Sequence, residues 1–152
     1  MVMEDREKPS LATRIIGALL FITGSCAALF WFFYRVVILL STSQSEVVVF
    51  DKGSFYMLGV GVGMSVLAFA AVQEGWVGKV LSKKQAAILT RIAIVSLALI
   101  FITPNLFHYI SEAYFSSEGY SVCEEASSQW LFVRDIVYIQ DTIECSAKLK
   151  EK

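Results

Sequence analysis

The chain has 152 residues, 56 % of them hydrophobic against 18 % charged, and a mean hydropathy of +0.61. A soluble domain carries roughly 45–50 % apolar and about 25 % charged residues, so a soluble globular protein, a disordered chain and a coiled coil are all excluded. The net charge of −1 gives no basic footprint for nucleic acid.

Residues 1–14 form a charged N-terminal tail. The first apolar block runs uncharged from Ile15 to Tyr34 and, with Arg35 and the apolar run to Leu40, predicts a span over 15–40. Twenty helical residues reach about 30 Å, the thickness of the hydrocarbon layer. Aromatic residues fill the place where a signal-peptide cleavage site would sit, so the segment reads as a retained helix. Residues 41–54 form a loop in which Glu46–Phe50 (EVVVF) is a β-branched run of strand type. A second span covers 55–72, and 73–85 connects it to a third over 86–110 that contains Pro104, a residue expected to bend it. In the connector, Trp76 and its lysines suit either a short helix on the headgroups or a simple anchored turn. The helix is expected to run on through residues 111–119. Within 111–152, Trp130–Ile139 (WLFVRDIVYI) reads as one long strand or as two short ones broken near Arg134-Asp135. An isolated hairpin is marginal, so these runs should pair into one small sheet. The fold class is thus a membrane protein with three transmembrane α-helices and a small β-containing α+β module.

Lysine and arginine near the span ends set the orientation. Arg6, Lys8 and Arg14 precede the first span, and Lys79, Lys83, Lys84 and Arg91 lie around the second connector. Both regions are expected in the cytoplasm, with 41–54 and 111–152 outside. The outer side then holds ten acidic and six basic residues, the inner side four and seven. Such an acidic outer face favours a basic partner, in a salt-dependent way.

Cys123 and Cys145 both fall in the outer segment. In an oxidising compartment they would close a loop of about 23 residues, worth roughly 3 kcal/mol. With the topology inverted they would stay free thiols. Cys26, in mid-span, reads as a small packing residue. Gly59 and Gly63 form a GxxxG on the second span, a face that lets helices approach closely either within the chain or between two copies. Arg35 reads either as an arginine snorkelling at the boundary or as a paired intramembrane charge, with Glu112 or a partner's acid as its counterpart. His108 is the only histidine, so no metal set forms around it, and it is placed at the membrane interface. No nucleophile–base–acid spacing and no cofactor motif occurs, so the expectation is a protein that is not an enzyme and uses no cofactor or metal.

Gly119, Tyr120, Cys123, Ser127, Trp130, Tyr138 and Cys145 give the last third of the chain an aromatic, cysteine-bracketed pattern. In this and in its three-span layout the chain resembles an uncharacterised family of small bacterial inner-membrane proteins similar to toxin-immunity proteins. The resemblance implies an inner-membrane location, a periplasmic C-terminus and a protein toxin as partner. Candidate contact residues are then Arg35, Glu124, Trp130, Phe132, Arg134 and Tyr138. The alternative is an accessory subunit of a larger inner-membrane secretion or transport complex. Besides the bilayer, a second copy of the chain is a further candidate partner.

Overall fold

The computed structural model describes residues 10–78, 80–130 and 133–151. Helix α1 spans Leu11–Ser41, and strand β1, Val47–Asp51, leads into a single helical turn, α2, Lys52–Phe55. Helix α3 covers Met57–Gly75 and α4 covers Lys83–Ser117. Strands β2 (Tyr120–Val122), β3 (Ser128–Trp130) and β4 (Val133–Gln140) follow, and a 3-10 helix, Ala147–Glu151, ends the described chain. Three helical segments, Ala12–Ser41, Lys52–Gly75 and Lys83–Ser117, are long and apolar enough to cross a membrane.

Local chemistry sets the helix ends. The Ser10 hydroxyl accepts from the Thr13 amide and caps α1. Ser82 and Gln85 form a reciprocal capping box at the start of α4. Among the described residues ahead of it, 76–78 and 80–82 are not helical, so the short connector helix is not formed there. Gly119 (φ +81°) turns the chain out of α4 in the left-handed conformation that glycine adopts without strain. The 35 residues of α4 reach about 52 Å, well beyond a hydrocarbon layer, so its last turns project toward the sheet, as the sequence predicts for 111–117.

Helix α3 packs against both α1 and α4. Its glycines bring the backbones together on two faces. A Cβ on Gly59 would lie 2.6 Å from both the Ile100 amide nitrogen and the Ser96 carbonyl oxygen of α4, and one on Gly63 would lie 3.1 Å from Ser96 Oγ. One on Gly61 would meet Leu29 of α1 at 2.6 Å. Ser25 Oγ adds a buried hydrogen bond to the Gly61 carbonyl (3.0 Å) and lies 2.6 Å from Ser65 Oγ. The GxxxG of Gly59 and Gly63 is therefore occupied inside the chain. On α1 the packed stripe is Ala18, Ser25, Ala28 and Phe32. Cys26 lies off that stripe and is exposed, so it does not pack as the sequence reading expects.

The sheet is antiparallel throughout, with β4 at its centre. β1 pairs along one edge, Val47 opposite Ile139 and Asp51 opposite Asp135. β2 and β3 share the other edge, Ser121 opposite Ile139 and Gln129 opposite Arg134. The predicted run is therefore shared by two strands, Trp130 in β3 and Val133–Ile139 in β4, and β4 passes through Arg134-Asp135 without a break. Successive residues of a strand point to opposite faces, and here both faces are covered. Val48, Phe50, Ile136 and Tyr138 pack with Phe32, Phe55, Phe115 and Tyr120. Phe50 and Phe55 stack at 5.0 Å, Phe55 and Phe107 meet at 4.6 Å, and Phe115 and Tyr138 at 4.8 Å. On the other face Val137 and Ile139 pack with Cys123 and Ala126, joined by Val47, Val49, Cys145 and Leu149. Cys123 and Cys145 form a disulfide, with Cα atoms 5.5 Å apart, that holds this second cover in place.

Candidate functional site

Two polar clusters sit where the sheet meets the helices. The first is closed. Arg35 lies one heptad beyond Ala28 on the packed stripe of α1, so its guanidinium points into the bundle rather than out to the headgroups. It donates to Asp51 Oδ2 (2.8 Å) and to Ser54 Oγ (3.2 Å), and it sits 5.9 Å from the Trp31 ring centroid. Trp31 Nε1 also donates to Ser54 Oγ (2.9 Å), whose hydroxyl in turn donates to Asp51 Oδ2. Asp51 Oδ1 accepts from the Ser54 amide (3.3 Å) and so caps α2. Burial raises the Asp51 carboxyl, but the hydrogen bonds from Ser54 and Arg35 and the charge of Arg35 outweigh it. The net effect holds the group below the usual carboxylate range. The snorkelling reading of Arg35 is thereby corrected: it is a paired charge, and its partner is Asp51 rather than Glu112.

The second cluster is open. A cleft of about 570 Å³ runs between the sheet-side half of α4, the start of α2 and the β3–β4 hairpin. Phe101, Asn105 and His108 contribute one face of α4, four and then three residues apart, as neighbours on a helix surface must be. Lys52 and Tyr56 enter from the α2–α3 junction, and Gln129 and Arg134 from the hairpin. Lys52 Nζ donates to Asn105 Oδ1 at 2.8 Å. Arg134 makes a longer contact with Glu124, 3.3 Å, across an exposed surface where such pairs contribute little. His108 Nε2 lies 3.8 Å from Glu112, and its Nδ1 is buried with no hydrogen-bond partner among the described residues. Two basic side chains, Lys52 and Arg134, line the cleft.

The other candidate contacts separate cleanly. Trp130, at the hairpin end of β3, is 76 % exposed. Glu124 is exposed and reaches Arg134. Tyr138 is buried between the sheet and α4, on the face away from the disulfide, and burial pushes its phenol up to about 12. Tyr138 is not open to a partner, whereas Arg35 is half-buried and engaged with Asp51 and Ser54. Phe132 lies outside the described residues. Sequence reasoning passed over Lys52, Asn105 and Gln129. The available signal was the polar pair Asn105 and His108, in line with Phe101 on one face of an otherwise apolar helix end.

No curated protein and no solved structure matches the chain. One family, described as Protein of unknown function (DUF1240), matches residues 48–146, from β1 through the second cysteine of the disulfide. All seven residues lining the cleft lie within that segment, whereas α1, with Arg35 and Trp31, precedes it. Because the match takes in roughly two thirds of the 152 residues, the protein belongs to the DUF1240 family.

Proposed function

We propose that this is a non-catalytic, membrane-anchored binding protein of the toxin-immunity type, resident in a bacterial inner membrane with its N-terminus cytoplasmic and its sheet on the periplasmic side. The observation that carries the reading is Trp130, a large aromatic side chain left 76 % exposed on the hairpin of a sheet whose central strand is packed on both faces over Ile136–Ile139. Exposed aromatic residues on rigid elements are the usual anchors of protein interfaces. The disulfide supports the periplasmic side, since such bonds persist in oxidising compartments. A toxin docking on the hairpin would meet Trp130 and Glu124 first.

The test is co-expression with the product of the neighbouring reading frame, directed to the periplasm, with growth and membrane potential as readouts. Rescue by the wild type that is lost in the double variant Trp130→Ala, Glu124→Ala supports the reading. Rescue untouched by that variant removes the hairpin from the contact, and no toxicity to rescue removes the immunity reading itself. An accessory subunit is the second reading. It is favoured by an apolar groove of about 420 Å³ between α3 and α4, lined by Val62, Phe69, Ile88 and Ile92 among others, which matches the shape of a seat for a partner's helix. That reading requires a partner that stays bound through detergent extraction.

A further inference from the structure

We infer that the cleft between α4 and the β3–β4 hairpin binds the phosphate of an anionic phospholipid in the leaflet on the sheet side. This goes beyond the toxin-immunity reading and does not depend on it. The argument begins with depth. Measured along α4 from Ala86, where the third span begins, Phe101 lies about 22 Å up the helix, while Asn105 and His108 lie about 28 and 33 Å up. A hydrocarbon layer of about 30 Å therefore ends between Asn105 and His108, with Phe101 inside it. The lower end of the cleft is an aromatic ring, 69 % exposed, at acyl-chain depth. Above it, at the boundary, stand the Lys52 ammonium and, at the same level, Arg134 and Gln129 of the hairpin, because Asp51 pairs with Asp135 and Arg134 with Gln129.

The charges point to an anion. Lys52 is bonded to a neutral amide, Asn105, and forms no ion pair among the described residues. Its neighbour Asp51 is turned the other way, onto Arg35. Arg134 has its long, exposed contact with Glu124 and keeps donors to spare, since a guanidinium carries five. Two cations with an amide between them match a phosphodiester, and the volume of about 570 Å³ falls in the range of small-molecule sites. The phosphate belongs to a lipid because the cleft continues down to Phe101, where acyl chains would leave it and where a soluble phosphate or an acidic segment of another protein does not reach.

The experiment uses the full chain in nanodiscs of phosphatidylcholine with and without phosphatidylglycerol, followed by native mass spectrometry of the lipids it retains. One phosphatidylglycerol per chain, retained in preference to phosphatidylcholine, is expected. A basic residue near a membrane surface raises affinity for anionic lipid about fivefold, so Lys52→Gln with Arg134→Gln should weaken retention roughly 25-fold. Lys148→Gln, exposed near the C-terminus, should leave it unchanged. Cys123 is 1 % exposed, so resistance of the Cys123–Cys145 bond to a mild reductant without denaturant reports that each variant is folded. Should the double variant fail to fold, Arg134→Gln alone carries the test, with an expected loss of about fivefold. Equal retention by wild type and variant, or retention of phosphatidylcholine as strong as that of phosphatidylglycerol, overturns the proposal. Displacement of the lipid by inorganic phosphate at equal affinity assigns the cleft to a soluble anion and overturns it too. A loss of toxin protection in Trp130→Ala that spares lipid retention separates this site from the proposed interface.

Discussion

Removing the Asp51 carboxylate should free the first strand from the helices while leaving the helices assembled. The carboxylate accepts from the Arg35 guanidinium, from the Ser54 hydroxyl and from the Ser54 amide, and both members of the ion pair are mostly buried, with side-chain exposures of 28 % for Arg35 and 18 % for Asp51. Breaking a fully buried pair costs about 3–5 kcal/mol. Arg35 keeps enough exposure to be rehydrated, so about 2 kcal/mol is the appropriate figure for the pair. The lost cap on α2 adds about 1 kcal/mol. Asp51→Ala should therefore raise the opening of β1 by about 3 kcal/mol, a factor of about 150 in the amide protection of residues 47–50. Hydrogen exchange read by mass spectrometry, on the protein in detergent, measures this directly, with the central turns of α1 as the internal control. Asp51→Asn keeps an acceptor for the Ser54 amide, loses only the ion pair and should cost about 30-fold. The pH dependence follows from the depressed pKa: the unfolded carboxyl takes up its proton first as pH falls, so the stabilisation is complete above the ordinary carboxylate range and is lost as pH drops through the lower folded value. Wild-type protection of β1, normalised to intrinsic exchange rates, should decline below about pH 4, whereas that of Asp51→Asn should not. A change of less than threefold in Asp51→Ala would refute the claim that this cluster ties the sheet to the helices.

Gly59→Ala should destabilise the bundle by about 2 kcal/mol in a denaturant titration, because the new methyl group meets backbone atoms of α4 that cannot rotate away. Gly17→Ala, which meets nothing within 4 Å, should stabilise α1 by about 0.5–1 kcal/mol. Tyr138→Phe should raise stability by about 1 kcal/mol, since the hydroxyl is buried with no hydrogen-bond partner among the described residues. In the wild type the folded state holds this proton to about pH 12 while the unfolded chain releases it near 10, so stability should fall as pH rises between those values. The phenolate absorbance of that late-titrating group should vanish in Tyr138→Phe. Reducing the Cys123–Cys145 disulfide should cost about 3 kcal/mol and expose Val137 and Ile139, raising exchange in β4 without loosening α3.

The parts legible in the sequence were those written in local pattern. Long apolar blocks gave the three helices, EVVVF gave β1, and two cysteines bracketing a β-rich run gave the disulfide. The strands β2 and β3 escaped because each is three residues long and owes its form to pairing with β4, which no local alternation records. Apolar residues on both sides of WLFVRDIVYI looked ambiguous for a related reason. The second face is covered by a segment that returns through Cys145 and Leu149, a long-range fact. Arg35 was partly legible: Ala18, Ser25 and Phe32 recur every seven residues, and Ala28 to Arg35 repeats the same step. Reading that stripe would have turned the arginine inward. Its partner Asp51 was hidden, because a strand-ending aspartate before Lys-Gly-Ser reads as an ordinary turn. The cleft was the least legible feature, since it draws on three segments that only the fold brings together.

Asp51 and Lys52 explain why a single helical turn stands between β1 and α3. The two residues are adjacent, yet the structure sends them to opposite helices: Asp51 to Arg35 on α1 and Lys52 to Asn105 on α4. Through most of the bundle α3 packs on both α1 and α4. At the sheet end α2 takes over as the bridge, and the Phe32, Phe55 and Phe107 rings close beneath it, Phe32 lying 5.9 Å from Phe55 and 6.2 Å from Phe107. The cap at Asp51 thus fixes the direction in which Lys52 leaves the backbone, and with it the place of the ammonium in the cleft. A rigid mounting of this kind leaves little conformational cost to be met when a ligand arrives. It also couples the closed cluster to the open one: loosening Asp51 should weaken ligand retention in the cleft although Asp51 does not line it.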